Sequence, residues 1–154
     1  MTGIAGIIKD YLVSKGITYT YVNIMPQTPQ KCVAVYDVAG RSPDLTFDGA
    51  IFRKPSIQIT TRDYKYDDSY SLISDVISYL EQLEGTTYGN IQFIQVKQTT
   101  DIFSYDFQDE YNNLLKCFAV NFCVFSFDNG DLTEIGNNHK QNAPTMIPVG
   151  MSIK

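Results

Sequence analysis

The sequence predicts an α+β fold: a mixed, mainly antiparallel sheet flanked by an N-terminal helix and a central amphipathic helix. Three stretches carry this reading. In Ser56 to Thr61, Ile57, Ile59 and Thr61 alternate with Ser56, Gln58 and Thr60, the period of a strand with one buried face. From Ser69 onward, Leu72, Ile73, Val76, Ile77, Leu80 and Leu83 recur at helical spacing, with Ser71, Asp75, Ser78 and Gln82 opposite. Leu114 to Phe127 is apolar on both of its alternating faces, which places it in the middle of a sheet.

Taken in order, Thr2 is placed to cap a helix carrying Ile4, Ile7, Ile8, Tyr11 and Leu12, which Gly16 ends in a left-handed conformation. Ile17 to Met25 alternates loosely as a strand and stops at Pro26 and Pro29. The short apolar run Cys32 to Asp37 suits a strand covered on both faces. Val38 to Lys54, with Gly40, Pro43 and Gly49 among polar residues, reads as a long loop. The Ser56–Thr61 strand leads through Arg62 and Asp63 to an acidic connection in which Asp67 or Asp68 caps a helix beginning near Ser69, and Gly85 closes that helix. Thr86 to Asn90 is a turn and Ile91 to Gln98 a strand. Phe103, Tyr105 and Phe107 share a face of a short strand that forms a hairpin with the long apolar one through the acidic tip 109–113. Asp128-Asn129-Gly130 is a turn signal. Residues 1–136 therefore form one domain, and residues 137–154 form an extension in which Ile147, Val149, Met151 and Ile153 alternate with no partner in this layout.

A chain of 154 residues buries a core without metals or disulfides. No run approaches the roughly 18 apolar residues of a membrane span, and the N-terminus lacks the basic start and cleavage site of a signal peptide, so the expected setting is the cytosol. Cys32, Cys117 and Cys123 form no metal-type spacing and are expected as buried free thiols. A net charge of −5 argues against a surface that binds nucleic-acid phosphates, yet suits a wall past which DNA slides without sticking.

No catalytic or metal constellation emerges, and no cofactor is expected. His139 has no ligand or catalytic partner at useful spacing, Asp63, Asp67 and Asp68 lack the pattern of a calcium loop, and phosphate-binding and nucleophile motifs are absent. Arg62, at the end of a buried strand next to Asp63, is positioned to pair with a carboxylate either within its own fold or across an interface.

The order of elements, carried by KPSIQITTRDYKYDDSYSLISDVISYLEQLEG and the hairpin from Asp106 to Phe127, resembles the tail terminator (tail completion) proteins of long-tailed bacteriophages over roughly residues 1–127. The resemblance implies a virion protein, assembled in the host cytoplasm, that forms a ring of six-fold symmetry with itself. That ring ends the tail tube, contacts the tail tube protein and docks the head connector or stopper, while DNA passes through without specific binding and no membrane is involved. Its expected interface residues are Arg62, Asp63, Asp109, Glu110, Tyr111, Ile147, Val149, Met151 and Ile153, the tail being ordered by a partner subunit. The alternatives are another neck or head-tail joining protein and, from a different class, a small ligand-binding or hydrolase domain.

Overall fold

The computed structural model describes residues 3–45, 51–108, 111–112 and 114–128. In chain order these form α1 (Ile4–Ser14), β1 (Thr20–Val22), β2 (Cys32–Leu45), β3 (Ile51–Asp63), α2 (Tyr66–Leu83), β4 (Thr87–Tyr88), β5 (Ile91–Gln98), β6 (Phe103–Gln108) and β7 (Leu114–Asp128). All seven strands join one mixed, mostly antiparallel sheet in the order β1-β2-β3-β7-β5-β4, with β6 also on β7. The fold is α+β, with an N-terminal and a central helix.

β7 is the spine of the sheet. On one side it pairs with β3 from Asp63↔Lys116 to Phe52↔Phe127. On the other, β6 pairs with its first half, Gln108↔Leu114 to Phe103↔Ala119, and β5 with its second, Gln98↔Phe122 to Ile91↔Asp128. The strand expected to be buried on both faces thus has neighbours on both edges.

Both helices cover one face. Val33 and Val35 of β2, Ile57 and Ile59 of β3, and Phe118, Val120, Phe122 and Val124 of β7 pack against Ile8 and Leu12 of α1 and against Leu72, Ile73, Val76, Leu80 and Leu83 of α2. Each such side chain contributes about 1.5–3 kcal/mol on burial. Tyr11 ties α1 to α2 by donating to the carbonyl of Tyr79 at 2.9 Å, and to β4 by meeting Tyr88 edge-on. Ile94, 42% exposed, is the extra residue of a register shift between Phe93 and Gln95, which returns Val96 to the core and explains the loosened alternation of β5.

Four expectations are revised. The N-cap of α1 is Gly3, without a side-chain cap; Asp37 of β2 instead accepts from Ala5 N at 3.3 Å, while Thr2 lies outside the described residues. α2 starts at Tyr66 rather than near Ser69, so Asp67 and Asp68 occupy its first turn, where they favour the helix dipole but make no cap bond. The strand expected over Ile17 to Met25 shrinks to Thr20–Val22. The expected Val38–Lys54 loop is largely a hairpin arm, because β2 continues to Leu45 and β3 begins at Ile51, and the β3 half of the arm stays paired with β7 as far as Phe52↔Phe127. The arm absorbs its breakers at register shifts between Val38 and Arg41 and between Arg41 and Asp44. At the first shift a Cβ on Gly40 would lie 2.5 Å from the Lys54 carbonyl oxygen, so only glycine fits. Gly16 and Gly85 do adopt positive φ, at 99° and 80°, as their helix-ending role requires.

Candidate assembly surface

The sheet face without helices holds the residues that core formation does not explain. β1 pairs with β2 in parallel, so residues 23–31 must carry the chain back along the sheet. With the helices on one face, this strap crosses the other. Arg62 fastens it there. Its Nε donates to the Gln30 carbonyl at 2.9 Å, and its Nη2 donates to the carbonyls of Pro26, Pro29 (3.0 Å) and Gln27 (3.5 Å). Phe107 of β6 lies against the guanidinium with its ring centre 5.3 Å away.

Arg62 is wholly buried, and Nη1 has no hydrogen-bond partner among the described residues. The expected carboxylate partner is therefore corrected: the hydrogen bonds of the guanidinium go to four main-chain carbonyls. Asp63, its sequence neighbour, cannot serve because successive strand residues point to opposite faces. Its Oδ1 accepts from Tyr64 N at 2.7 Å. The sequence signal for the strap was the pair Pro26 and Pro29 between two strands, but their parallel pairing was not legible.

Cys32 and Cys117 stand opposite Arg62 on the two adjacent strands. All three cysteines are free and buried, as expected. Burial pushes the Cys32 thiol up against the lowering effect of Arg62, and pushes Cys117 up to about 11. Tyr105, opposite Cys117, is raised to about 12 by burial and by the neighbouring Cys117 against the lowering effect of a hydrogen bond with Thr60, although the residue is 44% exposed. The Cys32 and Cys117 thiols are therefore poor nucleophiles near neutral pH. A cleft of about 230 Å³ lies across β6, lined by Tyr66, Ser104, Tyr105, Asp106 and Lys116, but Lys116 is neutralised by Asp106 at 3.0 Å. A second cleft, of about 320 Å³, is lined by Gly40, Arg41, Ser56, Lys97, Thr99 and Cys123 at the base of the arm. Among the described residues there is no group of three metal-type ligands and no helix long and apolar enough to cross a membrane.

What the surface offers instead is strand edge and aromatic area. Tyr64, Tyr66, Tyr70, Phe103, Tyr105 and Leu114 are 43–56% exposed around β6 and the start of α2. Tyr66 and Tyr70 both stand edge-on to Phe118, at 5.1 and 5.3 Å. Sequence reading passed over these tyrosines because they sit in the polar first turns of α2. Of the expected interface residues, Arg62 and Asp63 are buried and Tyr111 is 70% exposed beside the hairpin tip. Asp109, Glu110, Ile147, Val149, Met151 and Ile153 lie outside the described residues.

Comparison with known proteins gives this surface a context. The family model described as bacteriophage tail terminator protein matches residues 7–122, from α1 into β7. The chain belongs to the bacteriophage tail terminator family. No curated protein matches its sequence. Among solved structures, it is similar to a chain of the virion of a native gene transfer agent particle, with a TM-score of 0.56 and 8% identity over 80% of this chain and 94% of that one. At that identity the likeness is one of fold.

As a tail terminator family member, the chain is a structural protein of the phage virion, and the family is structural rather than catalytic in kind. The matched region takes in the strap, Arg62, the arm, α2 and β6, so the parts of the surface described above belong to the family domain.

Proposed function

We propose that the protein assembles into a six-fold ring on the head-proximal end of the tail tube, where it stops tube polymerisation and presents a docking face to the head connector or stopper. The family match over residues 7–122 carries this reading. Two features support it. The arm of β2 and β3 lengthens one side of the sheet with residues 37–44 exposed along β2, and the exposed aromatic area at β6 offers apolar contact to a neighbour. Arg62 acts on the ring indirectly, by fixing the strap from beneath, while Asp109, Glu110 and Tyr111 at the hairpin tip meet adjacent subunits or rings. DNA passes through the ring without specific binding, in keeping with a net charge of −5. Assembly takes place in the host cytoplasm.

Native mass measurement of the full chain, alone and with the tail tube protein, tests the reading. The expected species is a closed ring that caps tubes and halts their growth. A monomer at every concentration, with or without tube protein, overturns it. Replacing Asp109 and Glu110 with Lys is expected to weaken assembly at unchanged melting temperature; a lowered melting temperature would assign the two carboxylates to the fold instead.

A further inference from the structure

We propose that residues 147–153 of one copy add as a strand to the open edge of β6 in the next copy. The inference rests on the ring reading above and names the contact that would join its subunits.

Among the described residues β6 pairs only with β7, so none of them occupies the N–H and C=O groups of its outer edge. Long bare edges are normally blunted by proline, lysine or a bulge. Distal β2 is blunted in this way, with Pro43 and two register shifts, while the edge strands β1 and β4 have only three and two residues. β6 contains no proline or lysine, and its six register pairs with β7 run without a shift. Its edge is flanked by apolar surface on the helix side, where Tyr66 and Tyr70 overhang Phe118, the residue opposite the small Ser104. The cleft of about 230 Å³ opens there.

The segment 147–153 has the matching chemistry. Ile147, Val149, Met151 and Ile153 make one apolar side, and Pro148, Gly150 and Ser152 the other. Alternate residues direct their main-chain groups to opposite edges of a strand, so pairing through the odd-numbered residues turns Pro148, which has no N–H, outward. The odd side chains then fill the space over Ser104 against the two tyrosines.

The tail leaves β7 at Asp128, the end remote from its own β6, which pairs with residues 114–119 roughly 30 Å back along the strand. The 18 residues 129–146 reach at most ~65 Å, enough for a neighbouring edge. In a head-to-tail ring each copy gives one tail and receives one, so closure leaves no β6 edge bare.

Directly opposed Cβ atoms on paired strands approach disulfide distance. The test mixes full-length chains carrying Ser104→Cys under one tag with chains carrying Val149→Cys or Met151→Cys under another, oxidises mildly, and reads disulfides together with native mass; the three native cysteines are buried and serve as background. A disulfide between differently tagged chains, absent from the wild type, is the expected result. Intact rings with no such disulfide at either tail position overturn the inference and leave the ring reading standing. A disulfide formed only within a single chain carrying both substitutions also overturns it, placing the tail on its own edge. Monomers without any disulfide overturn both.

Discussion

Arg62 Nε reaches the main-chain carbonyl of Gln30, thirty-two residues away in sequence, at 2.9 Å. Through this bond and its companions a completely buried cation holds the return strap between two parallel strands. A planar fork can meet several carbonyls at fixed angles, whereas an ammonium cannot.

Arg62→Lys is therefore expected to destabilise the protein by about 1–3 kcal/mol, the range for disturbing hydrogen bonds to a buried charged group. Urea unfolding measures it. A midpoint equal to the wild type's would mean that the strap is held by other contacts.

Asp37 joins three segments. Its Oδ1 accepts from Ala5 N in the first turn of α1, its Oδ2 accepts from Asn23 Nδ2 at 3.0 Å, and its own N–H donates to Asn23 Oδ1 at 2.8 Å. Because α1 has no cap of its own, Asp37→Ala is expected to cost about 1 kcal/mol, as a lost helix cap does. Asp37→Asn, which keeps an acceptor oxygen, is expected to cost less. Hydrogen exchange at Ala5 should quicken in the alanine variant before the core amides respond.

Stability should fall at alkaline pH. Cys117 rises from 9.0 to about 11 and Tyr105 from 10.0 to about 12, both through burial. Between pH 9 and 11 the unfolded chain loses protons that the native chain keeps, so the unfolded state binds fewer protons and the unfolding free energy drops as pH rises. Near pH 7 the two states hold these protons equally. The urea midpoint should then show no contribution from these groups near pH 7 and decline from about pH 8 upward, and Cys117→Ala should make the decline shallower. An equal slope in the variant would remove Cys117 as its source.

The elements that were legible in sequence are those whose pattern is imposed by the helix-covered core. α2 kept its expected apolar face because Leu72, Ile73, Val76, Leu80 and Leu83 all meet the sheet, and β7 was recognisable because it is apolar on both sides. The arm was not legible, since residues 37–44 are exposed and carry no core-facing alternation, and Gly40 and Pro43 read as breakers when they mark register shifts. Arg62 stood out as a residue of interest, but its partners are carbonyls, which every residue type supplies and no sequence pattern marks. The aromatic surface at β6 escaped for a related reason, because Tyr66 and Tyr70 come to stand against Phe118, opposite Ser104, only once α2 lies over the sheet.

The position of β7 in the chain has a kinetic consequence. The strand that three others pair with is the last to be synthesised among those described, and its contacts with β3 join residues 53 to 75 positions apart. Until Leu114–Asp128 emerges from the ribosome, β3 has a bare edge and the apolar side of α2 has only part of its sheet to lie on. Contacts of such long range make folding slow, since loop entropy is lost before the pairing repays it. A chain stalled before residue 114 therefore exposes a β3 edge able to pair with other nascent chains.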